Sequence, residues 1–294
     1  MIVVKLMGGL GNQMFQYAFG RYLALQHKTT LKLDLSYLQD RTPKKDFTYR
    51  NYELDVFNLR CEMASQEEVS AIFYPSNNKF LKLFHRFNYG KVRHIRERSF
   101  AFQKELMFQN GNLYVEGYWQ SEKYFKSIEA ILRDDFSLKG SLSFPAEKLK
   151  QRIKENNSVS LHLRRGDFVN NACINQYHGV CSLDYYQKAI LYIHNHINNP
   201  TFFIFSDDID WVKSNLAPDA PHVFVQSDPL KKNHEDMYLM SLCNAHIIAN
   251  SSFSWWGAWL NPDKNKKVIA PKKWFNDPSV DISDLIPENW IKIE

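Results

Sequence analysis

Cysteine is scarce and unpatterned in this sequence. Cys61, Cys173, Cys181 and Cys243 form no C-x-x-C pair and no zinc-type spacing, which argues against a metal-knuckle module. Cys173 and Cys181 are near enough along the chain to approach each other, but free thiols are the expectation in a reducing compartment. No apolar run approaches the roughly 20 residues of a membrane-spanning helix. Met1 to Leu6 is too short for a signal peptide and runs straight into glycines, so a cytoplasmic protein is expected. Internal repeats and low-complexity stretches are lacking too. In that setting the sequon Asn250-Ser251-Ser252 carries no glycosylation argument and is read as part of a site.

What is present fits a globular enzyme. The chain has 294 residues, enough for two ordinary domains, with 44% hydrophobic and 15% aromatic residues. The formal net charge of +5 is mild but unevenly placed. Lys79, Lys82, Arg86, Lys91, Arg93, Arg96 and Arg98 face only Glu97 between positions 79 and 98, with aromatic and apolar residues interleaved. One reading is a peripheral surface that meets an anionic membrane or an acidic acceptor. Another is an ordinary solvated helix with snorkelling lysines. A basic nucleic-acid-binding protein is the non-enzyme alternative resting on the same segment, and no nucleic-acid partner is expected.

Alternation and helical spacing divide the chain into α/β segments. Residues 2–6 read as a strand, followed by a glycine-rich turn, a helix from about 13 to 26 and a strand at 30–35. The stretch 40–110 is irregular. A strand at 113–118 and a helix at 122–132 follow. Ser137 to Asn157 is the best linker candidate, which divides the chain into 1–145 and 146–294. Beyond it, strands at 158–163, 201–206, 222–226, 246–249 and 267–270 alternate with helices, the pattern of a parallel sheet with crossovers.

Four constellations carry chemistry. Gly8-Gly9-Leu10-Gly11-Asn12-Gln13 lies at a strand-to-helix junction, where Gly9 and Gly11 allow close backbone approach and the helix start favours negative charge. It is neither a dinucleotide fingerprint, because Met14 replaces the small residue, nor a P-loop. A tight turn without a ligand is the alternative. His162-Leu163-Arg164-Arg165-Gly166-Asp167 follows a strand, at the edge where nucleotides bind in open α/β sheets. Paired guanidiniums suit a diphosphate, although strand alternation would send Arg164 and Arg165 to opposite sides. A surface Arg–Asp bridge is the alternative.

Ser206-Asp207-Asp208 ends the third strand of interest. There Asp208-Ile209-Asp210 reads either as a metal-binding D-x-D or as a helix cap, and no metal is expected. Asn250-Ser251-Ser252-Phe253-Ser254 ends another strand and opens a helix, where hydroxyls and unpaired N–H groups suit an anion. The tryptophans after it, Trp255, Trp256 and Trp259, read as core packing. Arg, Asp and Ser gathered at three strand ends describe a nucleoside-diphosphate pocket.

These residues, together with Gly117-Tyr118-Trp119-Gln120-Ser121-Glu122-Lys123-Tyr124-Phe125, resemble the bacterial α-1,2-fucosyltransferases of glycosyltransferase family 11. The resemblance runs from residue 1 to about 275, with 40–110 outside it. It implies an α/β, GT-B-like fold with two Rossmann-like lobes facing across a cleft, the first on the acceptor side and the second binding GDP-fucose. It also implies a metal-independent, inverting transfer of L-fucose from GDP-β-L-fucose to the 2-hydroxyl of a terminal galactose in an oligosaccharide or lipid-linked glycan. GDP-fucose is then a substrate, and no cofactor is implied. By the same resemblance Arg164 holds the β-phosphate, and His162 and Asp207 lie toward the guanosine. Ser251, Ser252 and Ser254 lie by the diphosphate, with Arg165 and Asn250 beside them, and Asn12 lies near the transferred sugar or acceptor. Asp167 and Glu116 are the candidate bases. A nucleotide-sugar transferase with a different donor keeps the same pocket.

Overall fold

A computed structural model describes residues 1–43, 48–73, 91–166, 175–177, 179–216, 218–225 and 233–294. Contacts divide the chain into two units. The first is Met1–Lys139 with Asp281–Leu285, and the second is Gly140–Val280 with Ile286–Glu294. The crossing after Lys139 falls before the division at 145/146, which would have cut a helix spanning Phe144–Lys154. Both units are α/β, each built on a parallel sheet in the Rossmann manner.

In the first unit, β1 (Ile2–Lys5), β2 (Leu31–Asp34), β3 (Glu62–Met63), β4 (Val92–Arg96) and β5 (Asn112–Glu116) form a sheet in the order β3-β2-β1-β5-β4. Helix α1 (Leu10–Gln26) packs so closely on β1 that a Cβ on Gly20 would lie 2.3 Å from Val4 Cγ2. Its buried Tyr17 and Arg21 both donate 2.8 Å bonds to the fully buried Asp135 carboxylate at the end of the helix Glu129–Asp135. Both bonds fall on Oδ2, while Oδ1 has no hydrogen-bond partner among the described residues and lies 3.5 Å from Arg60 Nε, so paired charge offsets part of the cost of burying this acid.

In the second unit, β6 (Asn157–Leu163), β7 (Pro200–Ser206), β8 (His222–Phe224), β9 (Ala245–Ile247), β10 (Lys267–Pro271) and β11 (Ile291–Ile293) run in the order β11-β10-β9-β6-β7-β8. Central strands β6 and β7 are buried on both faces, as near-continuous apolar runs in a parallel sheet should be. The helix Leu183–His196 is capped by Ser182 and buries Tyr185, Ala189 and Ile193 against Val159 and Leu161. Chain order reverses between β1 and β5 in the first sheet and between β6 and β9 in the second. Such reversals open crevices at the carboxyl ends of strands. Among the described residues no helix is long and apolar enough to cross a membrane.

Several expectations are corrected here. The helix expected over 122–132 begins as two 3-10 turns, Glu122–Tyr124 and Lys126–Ile128. Of the basic segment, residues 79–90 lie outside the described residues. Residues Val92–Arg96 are an edge strand, not part of a helix, with Arg93 bonded to Gln109 and Arg96 to Glu116.

Candidate active site

Register decides which arginine serves the second unit's strand ends. Leu163 pairs with Ser206, so Arg164 and Asp207 leave the sheet side by side. Arg164 Nη1 lies 2.7 Å from Asp207 Oδ2, and Arg165 N donates to Asp207 Oδ1 at 2.8 Å. A Cβ on Gly166 would lie 2.6 Å from Asp207 Oδ2, so this close approach requires glycine. Arg165 turns the other way, as period-two alternation demands. Its Nε donates to Asp208 Oδ2 at 3.1 Å, and its guanidinium lies 3.4 Å from the centroid of the Trp211 ring. The guanidinium of Arg165, expected among the donor contacts, is thus engaged by Asp208 and Trp211. Asp208 also caps the helix Ile209–Asn215, and Asp210 pairs with Lys213. The helix-cap reading of the D-x-D acids is what the geometry displays.

His162, at the end of β6, is buried, and its Nδ1 has no hydrogen-bond partner among the described residues. Burial pulls its pKa down to about 4, with Asp207 opposing and Arg164 adding to the drop, so the ring is neutral near pH 7. Its ring centroid is 5.7 Å from that of Phe253, in the first turn of the helix Ser252–Trp259. Ser251 caps that helix by accepting from Phe253 N at 3.3 Å, and Ser252 is its half-buried first residue.

Two neighbours bond within the protein. Ser254 faces inward, its buried hydroxyl bonded to Ser251 O and Ala249 O. Asn250 spends its amide on Gly179 O and Trp274 O, at 3.2 and 3.1 Å, and its oxygen accepts from Cys181 Sγ. Both side chains, expected among the donor contacts, are engaged by groups of the protein itself. Trp255 and Trp256 are fully buried and pack edge to face.

In the first unit the left-handed turn residue is Gly8, at φ +75°. Gly9 is the α1 N-cap, its carbonyl accepting from Asn12 N and Gln13 N, and Gly11 is buried in the first turn. The structure adds two glutamines whose work the sequence reading missed. Gln13 is fully buried; its Nε2 donates to Gly8 O and Asn51 O, each at 2.8 Å, and its Oε1 accepts from Glu53 N. Gln16, equally buried, accepts from Met7 N at 2.9 Å. Amides three apart on the core face of an apolar helix were the available signal. Asn12 Oδ1 accepts from Gln120 Nε2 at 2.9 Å, which joins the carboxyl ends of β1 and β5.

Glu116 is a poor base. Lys5 at 3.1 Å, Arg96 at 3.1 Å and His94 at 2.9 Å surround it. Burial pushes its pKa up, but Lys5 and Arg96 more than cancel this and the net shift is downward. Asp167, the other candidate, lies outside the described residues.

The model of the family described as "Glycosyl transferase family 11" matches residues 1–294. The chain belongs to this family. It is 36% identical over 299 residues to "Alpha-1,2-colitosyltransferase" of Escherichia coli, covering 100% of this chain and 99% of that one. A second relative, "O-antigen biosynthesis glycosyltransferase WbnK" of Escherichia coli, is 35% identical over 302 residues, with 98% and 99% covered. At greater distance, "Galactoside 2-alpha-L-fucosyltransferase" of Caenorhabditis elegans is 24% identical over 309 residues, with 100% and 79% covered. As a member of family 11 the chain is a glycosyltransferase.

Proposed function

We propose that the chain transfers a 6-deoxy-L-hexose from its GDP-activated form to the 2-hydroxyl of a terminal galactose in an oligosaccharide or lipid-linked glycan. The second unit holds the GDP-sugar and the first the acceptor. One observation carries the reading: β6 and β9 pair at the second sheet's chain reversal, so the strand end that leads to His162 and Arg164 lies beside the one that leads to the Ser251–Ser252 helix start, with His162 against Phe253. Arginine and helix N–H groups there would stabilise the charge that develops on departing GDP, which is the task a metal performs elsewhere. The acceptor hydroxyl oxygen attacks the anomeric carbon from the face opposite the phosphate, and its proton passes to water. The carbon–phosphate-oxygen bond breaks and the β-linked donor gives an α-linked product. With a lipid-linked acceptor, the reaction belongs at the inner face of the cytoplasmic membrane.

L-Fucose is the first reading of the donor sugar. Colitose, which is fucose without its 3-hydroxyl, is the second, favoured by the relative named for colitosyl transfer at 36% identity over the whole chain. A panel of GDP-fucose, GDP-colitose, GDP-mannose and UDP-galactose with a galactose-terminated acceptor separates them, with linkage analysis of the product. Turnover with one GDP-linked deoxyhexose and an α-1,2 product is expected. Activity confined to a UDP-sugar, or the absence of GDP binding by calorimetry, would refute the proposal.

A further inference from the structure

We propose that Glu97 is a positioning residue for the transfer, its carboxylate holding the turn that sets Gln120 against Asn12. The inference rests on the reading that the Asn12 end of the first unit meets the acceptor or transferred sugar.

Glu97 directly follows the edge strand β4, and its N–H still donates to Glu116 O at 2.9 Å. Its side chain reaches over the turn that follows β5. Oε2 accepts from Tyr118 N at 2.6 Å and Oε1 from Trp119 N at 2.9 Å, so both oxygens are used as acceptors. The turn is shaped around this carboxylate. A Cβ on Gly117 would lie 2.4 Å from Glu97 Cβ, and Trp119 has φ +59°, a conformation that side-chain-bearing residues adopt at a cost. Trp119 is fully buried against Phe19 and Tyr124, and the next residue, Gln120, is the one bonded to Asn12. Two N–H groups on one carboxylate thus fix the backbone from which Gln120 projects.

The charge of Glu97 is not balanced by an ion pair among the described residues. Facing it is the Tyr124 phenol, whose own pKa is raised by burial and further by Glu97. Of its chain neighbours, Arg96 is engaged by Glu116, and Arg98 follows it in sequence. Burial raises the Glu97 pKa to about 7, and the two N–H bonds only partly oppose that rise.

The sign of the linkage argues against a purely stabilising role. Between pH 4.5 and about 7 the folded state retains a proton that the unfolded state has lost, so stability falls as pH rises through that window. Protonation would place an O–H where one of the two backbone N–H groups needs an acceptor. The turn should therefore be held tightly above pH 7 and loosen below it.

Glu97→Gln mimics the protonated form, presenting NH2 to one of the two N–H groups. In the wild type, kcat should fall on the acid side with an apparent pKa near 7. In Glu97→Gln it should be ~10- to 100-fold lower and flat through that range, with GDP affinity unchanged. Combining Glu97→Gln with Gln120→Ala should add no further loss beyond Gln120→Ala alone. Backbone amide signals of Tyr118 and Trp119, followed by NMR, should titrate near pH 7 in the wild type and not in Glu97→Gln. That readout requires no turnover, so it separates failure of the Glu97 clamp from failure of the proposed transfer. Superimposable pH profiles, additive losses, or amide signals that do not titrate would each overturn the inference.

Discussion

Adjacent arginines with different duties make the sharpest test of the second unit. Arg164 and Asp207 are about a quarter exposed, so their pair should contribute only about 0–1 kcal/mol to stability. Removing the guanidinium from a bound phosphate, by contrast, deletes a charge-assisted contact of about 1.5–3 kcal/mol and leaves Asp207 facing the anion. Arg164→Ala should therefore weaken GDP binding ~10- to 100-fold while the melting temperature stays close to wild type.

Arg165→Ala should do the reverse. Its stacking on Trp211 at 3.4 Å and its bond to Asp208 together support the helix start, worth about 1.5 kcal/mol. Roughly 3–6 °C should be lost from the melting temperature, with GDP affinity within about threefold of wild type. Isothermal calorimetry with GDP, alongside thermal melts followed by circular dichroism, reads both quantities. Equal losses of GDP affinity in the two variants, or a larger loss in Arg165→Ala, would show that the register argument assigns the wrong arginine.

Gly166→Ala puts a methyl 2.6 Å from Asp207 Oδ2, so it should cost about 1–3 kcal/mol and weaken GDP binding; a variant with wild-type melting and affinity would remove the close-approach argument. Transfer should survive EDTA, because Asp208 and Asp210 are engaged by Arg165 and Lys213; loss restored by manganese would return those acids to metal binding. Acid should destabilise the protein below pH 6.5. There the unfolded chain takes up protons that buried His162 (pKa about 4) and His246 (pKa about 3) refuse, at a cost on the order of 3 kcal/mol each. These two histidines outweigh Glu97, whose raised pKa runs the other way. A guanidinium midpoint that does not fall between pH 7 and 5 would contradict this.

The second unit was legible because its strands are long and buried. Val159-Ser160-Leu161-His162-Leu163 and Phe202-Phe203-Ile204-Phe205 announce themselves by apolar content, and the strand ends then locate Arg164, Asp207 and Ser251. The first unit hid β4 because Val92-Arg93-His94-Ile95-Arg96 buries only Ile95 and spends Arg93, His94 and Arg96 on polar partners. β3 and β11 were too short to show a period. Side-chain commitments were illegible for a different reason. That Asn250 bonds Gly179 and Trp274, or that Glu97 grips two N–H groups, depends on neighbours distant in sequence. Gln13 ended the glycine-rich motif and Gln16 lay one turn beyond it, yet only their burial and partners reveal their task.

Asp284 ties Phe102 N and Lys123 together at 2.8 and 2.7 Å, across 182 and 161 positions of chain, before Ile286–Glu294 goes back to the second unit. Neither half can thus be excised as one uninterrupted segment. On the ribosome, the earlier-made half must wait for Asp281–Leu285 to emerge, after all of Gly140–Val280, before its last anchor arrives. Ribosome-bound nascent chains halted before residue 281 should accordingly hold that half less firmly than chains extended past it.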